Sequence, residues 1–148
     1  MHNWKISPIF VNALLLTAKN SEIMSTEDLV KEYLSTEGYR FDVDGDGDIH
    51  FKFEGINLFF TVDKNDQHFF RLIMPNIYTL ENNRVKVLEA VNTVTRDMKV
   101  LKAFLVDDRL WLSVEIFIDS TPELEDFFPR CMGLLKAGRE KIAAEIFG

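Results

Sequence analysis

The sequence predicts an α+β fold: an antiparallel sheet of about six strands with helices packed mainly on one face, in the order α-β-β-β-β-α-β-β-α. Three observations carry this expectation. Short segments rich in aromatic and β-branched residues follow one another across short polar links, which makes neighbouring strands antiparallel. Three longer segments instead repeat apolar residues at helical spacing. The chain has 148 residues, 47% hydrophobic and 28% charged, the size and composition of one folded domain.

The elements follow in order. "STEDLVKEYLSTEG" reads as a helix capped by Ser25 or Thr26, with Glu27 and Asp28 at its positive end and Gly38 closing it. Its apolar stripe is Leu29, Val30, Tyr33 and Leu34. Four strand segments come next: "YRFDV", "DIHFKFE", "NLFFTVD" and "HFFRLIM". A second helix spans about 81–97, with Val87, Leu88, Val91, Val94 and Thr95 on one face. Two further strands, "VLKAFLV" and "LWLSVEIFI", are joined at Asp107-Asp108-Arg109. The last helix is expected to start near Thr121, with Pro122 in its first turn. Its stripe runs Leu124, Phe127, Phe128, Cys131, Leu135, Ile142 and Ile146, and Pro129 within it predicts a kink or break.

Residues 1–24 form an N-terminal extension ahead of a single domain over 25–148. "ISPIFVNALLLTA" in it is too short to span a bilayer. A short helix capping the core is the expectation; a signal segment, or a start at Met24, are the alternatives.

"DVDGDGDIHF" resembles a calcium loop, with Asp42, Asp44, Asp46 and Asp48 in register and Gly47 at the sixth position. The twelfth position is Phe53, which cannot ligate, and both flanks alternate like strands rather than helices. Asp-Gly steps are what a tight turn between strands requires. The stretch is expected to be a hairpin turn with no specific metal site.

Other chemistry is sparse. His2, His50 and His68 are scattered without metal-ligand spacing, and His50 is expected to be solvated. No glycine-rich phosphate loop and no G-x-S-x-G elbow occurs, so no cofactor and no catalytic residue is expected. Glu115 has no evident carboxylate partner and reads as solvated or ion-paired. The single cysteine, Cys131, lies on an apolar stripe and reads as core; it excludes an internal disulfide and points to a reducing, cytoplasmic setting. The net charge of −7, without a Lys/Arg cluster, argues against nucleic acid as a partner.

The element order, with "VNTVTRDMKVLKAFLVDDRLWLSVEIFI" and the hairpin "GYRFDVDGDGDIHFKFEG", resembles the YbjN-type family of bacterial sensory transduction regulators, whose fold is like that of the type III secretion chaperones. The resemblance covers about residues 25–147; Val91 stands where such sequences often carry tryptophan before the helix asparagine, here Asn92. It implies a small, acidic, dimeric interaction protein without enzymatic activity, with a protein partner and no membrane association.

Strand alternation separates two sheet faces. Phe41, Phe51, Phe60, Leu72, Leu105, Leu112 and Ile116 are expected beneath the helices. Phe59, Phe69, Arg71, Ile73, Phe104, Trp111 and Phe117 are expected on the other face, interleaved with Lys52, Lys102 and Glu115, and are the candidate partner or homodimer surface. The alternative is a small-ligand or catalytic pocket between sheet and helices.

Overall fold

A computed structural model describes residues 24–148. The expectations for the N-terminal extension fall almost entirely outside these described residues. Helix α1 spans Thr26–Thr36, α2 Arg84–Asp97 and α3 Leu124–Phe147; the strands are β1 Phe41–Val43, β2 Ile49–Phe53, β3 Ile56–Phe60, β4 Phe69–Thr79, β5 Leu101–Val106 and β6 Arg109–Phe117. The sheet order is β1-β2-β3-β4-β6-β5, every pair antiparallel. The α+β order expected from the sequence is the one observed.

All three helices pack on the same sheet face and share one core with it. Val30, Tyr33 and Leu34 of α1, Val87, Ala90 and Val94 of α2, and Leu124, Phe128, Cys131, Leu135, Ile142 and Ile146 of α3 meet the inner row Phe51, Leu58, Phe60, Phe70, Leu72, Leu110, Leu112 and Val114. Phe128 is an aromatic hub, with Tyr33, Phe51 and Phe70 at 4.6, 5.9 and 5.5 Å between ring centroids. Phe41, Leu105 and Ile116 are on this face as expected but only partly buried.

Local chemistry explains the boundaries. The Ser25 hydroxyl caps α1 by accepting from Asp28 N at 3.1 Å, and Gly38 follows the helix at φ +83°. In the aspartate-rich hairpin, Asp44 Oδ1 accepts from the amides of Asp46 and Asp48, and Gly47 takes φ +90°. Asp48 Oδ1 accepts from Val62 N at 2.9 Å, tying this turn to the loop after β3. Asp44 and Asp48 therefore serve backbone amides.

Four expectations need correction. Strand β4 does not stop at Met74 but continues to Thr79, because Pro75, Asn76 and Ile77 are absorbed in a bulge opposite Trp111, where the proline's missing amide donor interrupts no regular pairing. On α2, Leu88 is 45% exposed and Ala90 takes the buried position instead, while the helix starts at Arg84 after Asn82 turns the chain at φ +55°. Helix α3 begins at Leu124, with Pro122 before it. Pro129 does not break α3: it stands near the start, where its missing donor removes one hydrogen bond and the helix runs on to Phe147.

Candidate functional site

The sheet face turned away from the helices is built by alternation, and it carries the whole candidate set. Across the strands, His50, Phe59, Ile73, Ser113 and Lys102 form one row of opposed residues from β2 to β5. Arg71 opposes Glu115 and Phe69 opposes Phe117 on one side of that row; Phe104 opposes Trp111 on the other.

At the centre is a charged cluster. Glu115 accepts from Ser113 Oγ at 3.0 Å and lies 3.2 Å from Arg71 Nε and 3.4 Å from Lys102 Nζ. The two cations sit on the strands either side of β6, so the geometry follows directly from the sheet order. The Arg71–Glu115 approach is off the N–H direction, and Arg71 Nε, itself buried, has no hydrogen-bond partner among the described residues. Glu115 is ion-paired, as expected for a residue with no carboxylate neighbour.

Aromatic groups flank this cluster at both ends. The Phe69 and Phe117 rings lie 6.3 Å apart, and those of Phe104 and Trp111 6.2 Å apart, with Lys102 Nζ 5.4 Å from the Phe104 centroid. Trp111 Nε1 donates to Asn76 Oδ1 at 3.1 Å. Asn76 can reach it because the bulge holds Asn76 at φ +53°, a conformation asparagine tolerates.

Exposure differs sharply among the candidates. Phe117 is 84% exposed, whereas Ile73 is 4% exposed and Ser113 fully buried, so these two form the floor between the aromatic groups. Phe59, Phe69, Arg71, Phe104 and Trp111 are half-buried. His50 is not freely solvated: its ring stacks on Phe59 at 4.7 Å and Nε2 lies 2.9 Å from Asn57 Oδ1. Sequence reasoning missed Asn76 and Ser113. Pro75-Asn76 inside an otherwise apolar strand is the signal for the first; for Ser113, a lone small hydroxyl among large apolar residues is a weaker one.

The pocket alternative also has a physical counterpart. An apolar groove of about 280 Å³ opens between α3 and the β4 bulge, lined by Ile56, Ile77, Tyr78, Ile142, Ala143 and Ile146. Lys136, Arg139 and Glu140 stand at it, and Lys136 pairs with Glu54, which raises the Lys136 pKa. Cys131 is buried in the core and its thiol is pushed up to about 11 by desolvation, the opposite of an activated nucleophile. Among the described residues no cluster of three or more His, Cys, Asp or Glu could hold a metal ion, and no helix is long and apolar enough to cross a membrane.

Comparison with known proteins adds two findings. The model of the family described as "T3SS (YopN, CesT) and YbjN peptide-binding chaperone 1" matches residues 25–148. The crystal structure of YbjN from E. coli is similar in fold, with a TM-score of 0.52 and 13% identity, covering 80% of this chain and 87% of that one. No curated protein matches the sequence.

Proposed function

Because the chain belongs to the family of T3SS and YbjN peptide-binding chaperones, we propose that it is a non-enzymatic peptide-binding domain, chaperone-like or regulatory, acting in the cytoplasm. Its docking surface is the sheet face away from the helices. One observation carries this reading: that face sets four large aromatic side chains, Phe69, Phe117, Phe104 and Trp111, around a charged centre. An antiparallel sheet with one wet face ordinarily alternates apolar and polar residues, and an exposed aromatic patch with arginine is the composition of an interface core.

The mechanism is binding by burial. Half-buried rings are already held by their neighbours, so a partner laid across them gains apolar contact without ordering many side chains. Trp111 is the best-fixed of these, through its bond to Asn76. The central charges then select the partner's register rather than supply most of the affinity.

The test uses an array of immobilised peptides, followed by titration of a binder into isotopically labelled protein. Amide shifts should cluster on β4, β6 and β5. The double variant Phe104→Asp with Trp111→Asp should keep its circular dichroism and lose the peptide. Shifts confined to the groove beside α3, or unfolding of the double variant, would overturn the proposal. Light scattering on the same samples tests the competing occupant of this face, a second copy of the chain: a dimer that becomes monomeric in the double variant would support a homodimer seam.

A further inference from the structure

We propose that the outer sheet face selects acidic peptides, specifically extended segments that place carboxylates between two bulky apolar residues. This rests on the outer face being the docking surface.

The warrant is a charge inversion. Alternation puts Lys52, Arg71, Lys102 and Arg109 outward, against the outward carboxylates Asp42 and Glu115. The outward strand side chains therefore carry a surplus of two positive charges on a chain whose formal net charge is −7. The loop carboxylates Asp46, Asp48 and Asp63 stand beside Phe69 and Arg71 at one end of the face, and Lys102 is open at the other. The inner face of the same strands carries no charge at all. Two of the four cations share one acceptor, Glu115, and Arg71 Nε is a buried donor with no hydrogen bond among the described residues. A carboxylate arriving over this face would meet the exposed Lys102 ammonium, whose bonds to Glu115 are long at 3.4 Å, with the half-buried Arg71 guanidinium across Glu115 from it. The same surplus disfavours a second copy: two such faces laid together bring like charges into contact.

Geometry sets the pattern of the ligand. Trp111 and Phe117 are outward residues of β6 six positions apart, roughly 20 Å at strand rise. Arg71, Lys102 and Glu115 lie between them. A strand-like peptide running along β6 would therefore place apolar residues at its first and seventh positions and carboxylates at its third and fifth, all on one side.

The probe is a fluorescein-labelled peptide with phenylalanine at the first and seventh positions, glutamate at the third and fifth, and serine between. A counterpart carries lysine for glutamate. Anisotropy with the full chain should show the acidic peptide binding more tightly. Lys102→Glu and Arg71→Met should each weaken it by about tenfold or more, as for loss of a hydrogen bond to a charged group. Raising salt from about 0.1 M to about 1 M, where the screening length falls to about 3 Å, should also weaken it. Lys102 is exposed, so its variant will fold even where Arg71→Met does not. Equal or tighter binding of the lysine peptide, still abolished by Phe104→Asp with Trp111→Asp, would overturn acidic selection while leaving the docking face intact. Acidic binding indifferent to every outer-face variant would overturn both, and no binding of either peptide would overturn acidic selection.

Discussion

Gly138 is where α3 comes closest to the sheet, and substituting it measures how tightly the two layers are held. A Cβ built there would stand 2.4 Å from Leu101 Cδ2 and 3.3 Å from Leu112 Cδ1. Carbon atoms rest at about 3.5–4.0 Å, so the Leu101 methyl has to retreat by about 1 Å. Leu101 is 4% exposed and packed in the core, which leaves its side chain little room to turn. Gly138→Ala gains about 1 kcal/mol in helix propensity and loses about 1–3 kcal/mol to overpacking. The net expectation is a destabilisation of about 0–2 kcal/mol, read as a lower urea midpoint at unchanged slope. Gly138→Val should be clearly worse. Combining Gly138→Ala with Leu101→Val removes a methylene where the new methyl arrives, so the double variant should be more stable than the two single effects add up to. If Gly138→Ala stabilises the protein by its full propensity gain, α3 is not held against β5 and β6 by this contact and the reasoning fails.

Three further outcomes are expected. Val100 sits at φ +57°, half-exposed, between α2 and β5, a conformation costly for a β-branched residue; Val100→Asn should raise stability by about 1 kcal/mol in the same urea assay. Burial chiefly, with Glu37 adding to it, pushes the Tyr33 phenol up to about 12 from 10.0, so the native state holds its proton longer than the unfolded chain does. The stability this contributes is fully present below pH 10 and is lost as pH rises toward 12, which thermal melts across that window and the absorbance of tyrosinate should both show. The Cys131 thiol, buried and pushed up to about 11, should resist iodoacetamide at pH 8 in the native protein and react promptly in denaturant; rapid native alkylation would contradict its placement in the core.

What the sequence made legible was local. Capping by Ser25, the hairpin at Asp44–Asp48 and the stripe of α3 depend on residues a few positions apart, and each was readable from spacing. The errors arise where a distant partner decides. Pro75 looks like the end of a strand because it lacks a donor; only the pairing of β4 with β6, completed after a whole helix and another strand, shows that the chain resumes its register at Tyr78. Leu88 and Ala90 both suit an apolar stripe, and the choice between them is made by how α2 lies on α3 and β5.

The outer face divides in the same way. Alternation alone assigns Phe59, Phe69, Arg71, Ile73, Phe104, Trp111 and Phe117 to one side, because a side-chain period of two needs no tertiary knowledge. Which of them form floor and which form rim is decided by strand order. Ile73 lies on β4, flanked on both sides by the paired strands β3 and β6, and is 4% exposed; Phe117 lies at the end of β6 and stays open. The Asn76–Trp111 bond spans 35 residues and exists only because a bulge in one strand faces an indole on another. The charge surplus has a mixed origin. Each lysine or arginine is visible in the sequence as the polar member of an alternating strand, where it reads as ordinary solvation. Its meaning changes once β4, β6 and β5 are neighbours, for then the single cations of β4 and β5, Arg71 and Lys102, converge from either side on the one carboxylate of β6.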